Sequence, residues 1–378
     1  MLVHSYAFHD HELVVEEVAR EIGFEQIATS HRVMPMVKMV PRGTTTVVDA
    51  YLTPSIATYV SNFRSGFKNQ SALDSKLLFM RSDGGLTPVK SFCGSRAVLS
   101  GPAGGVLGYA AATYDRLEPR RACIGFDMGG TSTDVSRWDG QAEVIYEGRA
   151  AGVQLQVPQL DIQTVAAGGG SILSFRAGLL NVGPESASAF PGPACYRRGG
   201  PATVTDANLL LGRILPDFFP KIFGPNEDEP LDRDASLKRL NELAKEINQF
   251  ERKNDRPVKN VYQIAEGFIK VANEAMCRPI RNLTQARGYD CRSHVLAVFG
   301  GAGGQHACSI ANALKMDTIS LHKYAGILSA FGISTAPIVT EQQRPAGTIV
   351  LAKSETDIKP IVDVWLNELR EKCIAGEK

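Results

Sequence analysis

The chain has almost no net charge, and this narrows the range of partners. Its 378 residues carry 41 Lys and Arg against 40 Asp and Glu, a formal net charge of +1. Nucleic-acid-binding domains usually carry a basic excess, so we predict no nucleic-acid partner. No apolar run is long enough to cross a bilayer, and the first residues lack the charged-then-apolar order of a secretion signal. We therefore expect neither a membrane segment nor a secretory leader.

Paired cysteines are also missing. The seven cysteines are scattered and odd in number, and they include no CxxC pair. They are Cys93, Cys123, Cys195, Cys277, Cys291, Cys308 and Cys373. This pattern predicts free thiols in a reducing compartment rather than disulfides or a zinc knuckle. The cytosol is the location that we infer from it.

Glycine, by contrast, is abundant and clustered. Of the 36 glycines, 14 lie in five short segments: "SDGG" (82–85), "GPAGG" (101–105), "DMGG" (127–130), "AAGGGS" (166–171) and "FGGAGG" (299–304). Glycine costs conformational entropy inside a helix or strand, so such clusters favour turns with positive φ or close backbone approach. Five of them in one chain predict a surface where backbone N–H groups face a ligand.

Strands and helices alternate along the chain, which predicts an α/β fold. Two amphipathic helices are expected after the Pro- and acid-rich connector 216–232, and the second has an apolar face from Val261 to Met276. The opening "LVHSYAF" is typical of a strand. "GPAGGVLGYAAATY" is interpreted as a loop entering a helix, and "DANLLLGRIL" as a short helix whose N-cap is Asp206.

The segment "DMGGTSTD" (127–134) carries the strongest chemical signal. Two glycines allow close backbone approach, and three hydroxyl side chains follow them, which suits the binding of a phosphate by converging N–H groups. These residues are Gly129, Gly130, Thr131, Ser132 and Thr133. Asp127, at the end of a predicted buried strand, would face a phosphate-bound Mg²⁺. The alternative is a plain hairpin turn in which Thr and Ser only fill strand positions.

The segment "VFGGAGGQHA" predicts a second ligand-facing turn. A strand enters four glycines, Gly300, Gly301, Gly303 and Gly304, and a helix is expected to start near Gln305. The start of that helix has unpaired N–H groups, and the glycines have no side chains to fill the space beside it. A nucleotide base or ribose would fit there. A tight strand-to-helix turn with close packing is the alternative.

A histidine cluster near the start is a weaker candidate. His4, His9 and His11 lie close to Glu12, which suggests a metal site. The spacing of two between His9 and His11 suits neither face of a helix, so capping and surface roles are favoured over metal binding.

Four further residues have lower functional weight. His306 and Cys308 follow the second glycine turn, but a single H-x-C pair is weak evidence for zinc. Cys195 follows a Pro- and Gly-rich loop and is interpreted as a buried, inert thiol rather than a reactive one. Asp161 lies beside a turn and has no obvious capping role.

Several long motifs together resemble the hydantoinase A / 5-oxoprolinase family, in particular its eukaryotic-type ATP-dependent branch. They are "PRGTTTVVDAYLTP", "LLFMRSDGG", "LSGPAGGVLGYA", "FDMGGTSTDVSRWDG", "AAGVQLQVPQLDIQTVAAGGGS", "VGPESASAFPGPACYRRGGPATVTDANLLLGR" and "FGGAGGQHACSIANAL". The resemblance covers nearly all of residues 1–345. It implies the actin-like, sugar-kinase-like ATPase fold, in which two related lobes close on a nucleotide.

The resemblance also implies a reaction: ATP-driven opening of 5-oxo-L-proline to L-glutamate, with Mg²⁺ and K⁺ present and a homodimer in the full-length form. It implies catalytic roles for Asp127 and Asp134, with Asp127 also at the metal. The turn 129–133 would bind phosphate. The glycines of 300–304 would contact adenosine.

One family feature is not found. Family members begin with an earlier DxGGTxTD turn, whereas this chain has one such turn, at 127–134. We therefore expect an incomplete fold that is nearly inactive alone. Residues 1–345 would form the ATPase domain, with the rest of a first lobe at about 1–120 and a second lobe at 121–345, and residues 346–378 would begin the next region. Hydantoin cleavage, ketone carboxylation and a non-catalytic nucleotide-binding module remain alternatives.

Overall fold

The computed structural model describes residues 1–74, 76–150, 152–343 and 355–375. The chain divides into two compact units. The first comprises Met1–Gly104, Glu143–Asp161 and Ile333–Lys378, and the second comprises Gly105–Ala142 and Ile162–Gly332. Among the described residues, no helix combines the length and the apolar character that a membrane span requires.

The helices of the described residues are distributed along the whole chain. They are α1 (Asp10–Ile22), α2 (Ser30–Val33), α3 (Met39–Ser65), α4 (Gln70–Asp74), α5 (Gly94–Ala97), α6 (Ser100–Ala112), α7 (Val204–Leu210), α8 (Arg233–Lys253), α9 (Val261–Leu283), α10 (Ala307–Leu314), α11 (Leu328–Thr335) and α12 (Glu355–Ala375). The two helices expected after the connector 216–232 are confirmed as α8 and α9.

The strands are short; five of those in the second unit form its main sheet, and β10 pairs with β11 separately. They are β1 (Leu78–Met80), β2 (Leu86–Pro88), β3 (Cys123–Met128), β4 (Thr133–Trp138), β5 (Val144–Ile145), β6 (Gly148–Ala150), β7 (Val153–Leu155), β8 (Gln159–Leu160), β9 (Ile162–Val165), β10 (Ser171–Arg176), β11 (Leu179–Ser186), β12 (Val295–Phe299) and β13 (Ile319–Leu321). The mixture of helices and strands confirms the α/β prediction.

The main sheet has five strands in the order β13–β12–β3–β4–β9. Strand β12 is parallel to β13 and β3, whereas β4 is antiparallel to β3 and β9. All residues of β12, "VLAVF", are buried. A short apolar run without alternation is typical of a strand covered on both faces.

Helix α9 packs against this sheet and forms much of the core of the second unit. A capping box starts it: the Asn260 side chain accepts from the Gln263 N–H, and the Gln263 side chain accepts from the Asn260 N–H. The predicted apolar stripe is buried; Ile264, Phe268 and Met276 are at most 1% exposed. The helix contacts β4 and β9, so it supports the strands around the turn 129–132.

The predicted strand at "LVHSYAF" is wrong. Residues 3–7 form turns, and the N–H groups of Ala7 and Phe8 donate to the His4 carbonyl. The buried Arg42 guanidinium donates to the carbonyls of Leu2 and Val3 at 2.7 and 2.8 Å. These carbonyls therefore bond to a side chain instead of a neighbouring strand, which alternation of residue types cannot reveal.

The prediction that "GPAGG" is a loop is also wrong, because α6 already begins at Ser100. Pro102 lies in the first turn, where its missing N–H costs nothing. Small residues on this helix allow close packing. At Gly108, for example, a Cβ would lie 2.5 Å from the carbonyl oxygen of Leu328.

The N-cap of α7 is Thr203, so the prediction of Asp206 as the cap is wrong. Asp206 is the third residue of the helix, and its carboxylate accepts from the Thr203 N–H at 2.9 Å in a capping box. The same carboxylate accepts from the Cys195 N–H at 2.9 Å and from the Ser236 hydroxyl at 2.6 Å. Asp206 is fully buried, and it joins the 194–195 loop, α7 and α8.

Candidate active site

The turn between β3 and β4 lies at one end of the main sheet. The Gly129 N–H donates to the Ser132 carbonyl at 3.0 Å and closes the turn. Gly130 and Thr131, at its tip, are exposed. The antiparallel register places Asp127 of β3 directly opposite Asp134 of β4, so the turn carries a carboxylate on each of its two strands.

Both carboxylates are partly buried, and this perturbs their ionisation. Burial, followed by the charge of Asp134, raises the pKa of Asp127 to about 6. Burial also raises the pKa of Asp134, against the lowering effect of the Thr164 hydroxyl, which donates to Asp134 Oδ1 at 2.5 Å. Two like charges in partial burial repel each other, and a bound cation would relieve that repulsion.

The second glycine turn begins beside Asp127. In the parallel pair β12–β3, Phe299 is the partner of Asp127, so Gly300 follows at the same end of the sheet. Gly300 has a φ of 78°, and a Cβ there would lie 2.4 Å from Asp127 Oδ1. The Ala302 N–H donates to the Met128 carbonyl at 2.9 Å. The structure thus brings Asp127 and the start of the 300–304 turn together.

The other predicted contact residues differ in accessibility. Gly301 and Gly304 are exposed, whereas Gly303 is buried. Thr133 is fully buried, and its hydroxyl donates to the Ala167 carbonyl at 2.6 Å. Ser132 is half-buried, and its carbonyl is used to close the turn. The nucleotide contacts assigned to these residues stay predictions.

A third glycine loop, 168–170, lies against the turn 129–132, and sequence reasoning gave it no role in this site. The Gly169 N–H donates to the Gly129 carbonyl at 3.0 Å, and the Gly170 N–H donates to the Gly130 carbonyl at 2.6 Å. The "AAGGGS" cluster was visible in the sequence, but nothing in one sequence indicates which turns meet.

His306 holds the base of the second turn rather than a metal. It is fully buried, its Nδ1 lies 2.6 Å from Asn273 Oδ1, and its Nε2 lies 2.9 Å from Asn208 Nδ2. Burial, then the charge of Arg213, lowers its pKa to about 4. A neutral ring that donates from Nδ1 and accepts at Nε2 satisfies both amides.

Two of the remaining candidates, His9 and Cys195, have surroundings that fit a structural role. The ring of His9 stacks on His31 at 5.3 Å, and the carboxylate of Glu12 accepts from the His31 N–H at 3.1 Å. Cys195 is buried, as predicted, and burial followed by the charge of Asp206 raises its pKa; the inertness of the thiol stays a prediction. Throughout 1–74, 76–150, 152–343 and 355–375, no three His, Cys, Asp or Glu side chains gather as a metal-binding group.

A large cavity of about 1180 Å³ in the first unit is lined by His9 but by none of the residues predicted for the nucleotide site. Its arginines already have carboxylate partners. Arg96 pairs with Glu341 at 2.5 Å, and Arg32 pairs with Glu16 at 2.7 Å. The candidate chemistry therefore lies in the second unit.

Residues 42–342 match the hydantoinase/oxoprolinase family. The chain belongs to this family. It is 54% identical to "5-oxoprolinase" of Dictyostelium discoideum over 99% of its own length and 30% of the relative, and 51% identical to "5-oxoprolinase 1" of Arabidopsis thaliana over 98% and 29%. The chain thus spans less than a third of these curated relatives. The resemblance inferred from the motifs is confirmed.

Two solved structures share the fold. The ATP-dependent caprolactamase from Pseudomonas jessenii superposes with a TM-score of 0.72 at 28% identity, over 97% of this chain and 52% of that chain. A nucleotide-free acetone carboxylase superposes with a TM-score of 0.70 at 22% identity, over 99% and 52%. The second likeness concerns the fold alone.

Proposed function

We propose that this chain binds ATP and takes part in the ATP-dependent opening of 5-oxo-L-proline to L-glutamate. The observation that carries the proposal is the meeting of the turn 129–132, the Asp127–Asp134 pair and Gly300 at one end of the main sheet. The names of the relatives, and a caprolactamase neighbour that acts on another cyclic amide with ATP, support the same chemistry. The substrate is therefore a small molecule.

The turn 129–132 would hold phosphate oxygens through backbone N–H groups, and the 300–304 turn would contact adenosine. Asp127 fits a Mg²⁺ contact because it is a partly buried carboxylate next to a second carboxylate, Asp134. Bound Mg²⁺ would neutralise charge on the transferring phosphoryl group. K⁺ is proposed from the family resemblance alone.

The chemistry explains why ATP would be needed. A lactam carbonyl is a poor electrophile, so its oxygen first attacks the γ-phosphorus, and the bond from that phosphorus to ADP breaks. Water then attacks the activated carbonyl carbon, and the ring C–N bond breaks with a proton passing to the nitrogen. A second water hydrolyses the acyl phosphate that remains, which gives the carboxylate and free phosphate. Positioning and electrostatic stabilisation would supply most of the rate enhancement, and the backbone donors of the turn suit that task.

The proposal also covers the lobes of the fold, the location, the oligomeric form and the activity of this chain alone. We assign the second unit, Gly105–Ala142 and Ile162–Gly332, to a phosphate- and adenosine-binding lobe of an actin-like ATPase fold. The division of an ATPase domain 1–345 near residue 120 stays a prediction. The cytosol and a homodimeric full-length form are proposed with it, as is low activity of this chain alone.

The test is ATP binding measured by calorimetry with and without Mg²⁺. We expect Mg²⁺ to tighten binding to the unmodified chain, and we expect Asp127→Asn to lose most of that effect, about tenfold or more. Asp115→Asn changes an exposed aspartate of the same unit and serves as the matched control. Absence of ATP binding, or an unchanged Mg²⁺ effect in Asp127→Asn, would contradict the proposal.

Another cyclic amide is the second candidate substrate, because the caprolactamase neighbour is 28% identical to this chain; a ketone, the alternative predicted from the sequence, is tested beside it. ADP release measured with 5-oxo-L-proline, hydantoin, ε-caprolactam, and acetone together with bicarbonate separates these options. We expect any turnover to be stimulated most by 5-oxo-L-proline. Stronger stimulation by one of the other compounds would transfer the assignment to that substrate class.

A further inference from the structure

The glycine loop 168–170 fixes both carbonyl groups at the tip of the turn 129–132. The carbonyl of Gly129 accepts from the Gly169 N–H at 3.0 Å, and the carbonyl of Gly130 accepts from the Gly170 N–H at 2.6 Å. Both peptide groups therefore have one defined orientation.

That orientation determines where the tip can donate. The peptide bonds following Gly129 and Gly130 are trans, so in each the N–H points opposite to the carbonyl. The N–H groups of Gly130 and Thr131 therefore point away from the 168–170 loop. Neither donates a hydrogen bond within the part of the chain that the structure describes, and both residues are exposed. Two adjacent donors are left available to an external acceptor.

The loop reaches this position only because it lacks side chains. A Cβ on Gly168 would lie 2.7 Å from the carbonyl carbon and oxygen of Gly130 and from the carbonyl carbon of Thr131. Real Cβ atoms do not approach backbone so closely, so a side chain there would displace the tip. The Thr205 hydroxyl and N–H both donate to the Gly169 carbonyl at 2.8 Å, and they hold the loop from its other side.

We propose that the 168–170 loop, held by Thr205, positions the Gly130 and Thr131 N–H groups to bind the phosphate chain of the nucleotide. The inference rests on the proposed function, because it assigns the occupant of these donors. Thr205 and Gly168 are positioning residues: they act through the turn and need not touch the ligand.

The experiment measures dissociation constants of the full 378-residue chain for ATP and for adenosine, which lacks phosphates. We expect Gly168→Ala to weaken ATP binding about tenfold or more and to leave adenosine binding within about twofold. Gly101→Ala is the matched control, because a Cβ at that helical position meets no atom within 4 Å. Failure of the unmodified chain to bind ATP would overturn the proposed function and this inference together.

A second pair of variants applies if Gly168→Ala does not fold. Thr205→Val removes the hydroxyl that donates to Gly169 at nearly constant volume, and Thr205→Ser retains it. We expect Thr205→Val to weaken ATP binding about threefold or more without changing adenosine binding. Thr205→Ser, which keeps the hydroxyl, should bind ATP as the unmodified chain does. Normal ATP binding by folded Gly168→Ala or by Thr205→Val, or equal losses for ATP and adenosine, would overturn the inference while the proposed function stands.

Discussion

Replacing Asp127 by Asn should stabilise the metal-free protein while removing its predicted Mg²⁺ contact. Burial and the charge of Asp134 raise the pKa of Asp127 from its ordinary value of 3.8 to about 6. Each pKa unit is worth about 1.4 kcal/mol. The ionised side chain therefore costs the folded state at most about 3 kcal/mol, which solvent screening of a partly exposed carboxylate reduces to about 1–2 kcal/mol.

The sign of the pH dependence follows from the direction of the shift. Because the folded pKa lies above the unfolded one, the folded state holds its proton longer as pH rises. The free energy of unfolding of the unmodified protein therefore falls as pH rises from about 4 to about 6. Asn at position 127 does not ionise, so its advantage in free energy of unfolding should be small near about pH 4 and complete by about pH 7.

Hydrogen exchange of the β3 amides in a buffer with a chelator is the assay, because it reports unfolding of the strand that carries Asp127. Asp115→Asn should show no such pH-dependent gain, since Asp115 is exposed. Adding Mg²⁺ at about pH 7.5 should protect β3 in the unmodified chain and have little effect on Asp127→Asn. A free-energy difference that is absent, or that stays constant across the pH series, would refute the reasoning.

Two further predictions concern buried groups. Asp206→Asn should destabilise the second unit by about 3 kcal/mol or more, because five hydrogen bonds reach its carboxylate; a thermal shift of less than a few degrees would contradict this. In native protein, a maleimide should modify the exposed Cys308 and spare the buried Cys195, whose pKa is raised by burial. Mass spectrometry of tryptic peptides measures the labelling of each cysteine. Equal labelling of Cys308 and Cys195 would contradict the prediction that Cys195 is inert.

Local patterns were sufficient for much of the second unit. The apolar stripe of α9, the strand β12 and the glycine turn between β3 and β4 were all predicted correctly, because helical periodicity, strand runs and turn residues act over short distances along the chain. The family followed from motifs spread over nearly the whole chain. Predictions failed where a distant partner replaced the local one, as at Leu2 and Val3, whose carbonyls accept from Arg42.

The sequence by itself therefore determined the α/β class, the family and the two turns that would bind a nucleotide. Only the tertiary structure decided that Asp127 stands opposite Asp134, that Gly300 packs against Asp127, and that the 168–170 loop orients the N–H groups of Gly130 and Thr131. The Asp127–Asp134 pair depends on the register of one hairpin, whereas the other two contacts join residues that are far apart along the chain. Strand register and parallel pairing bring them together, and no local pattern in one sequence specifies either.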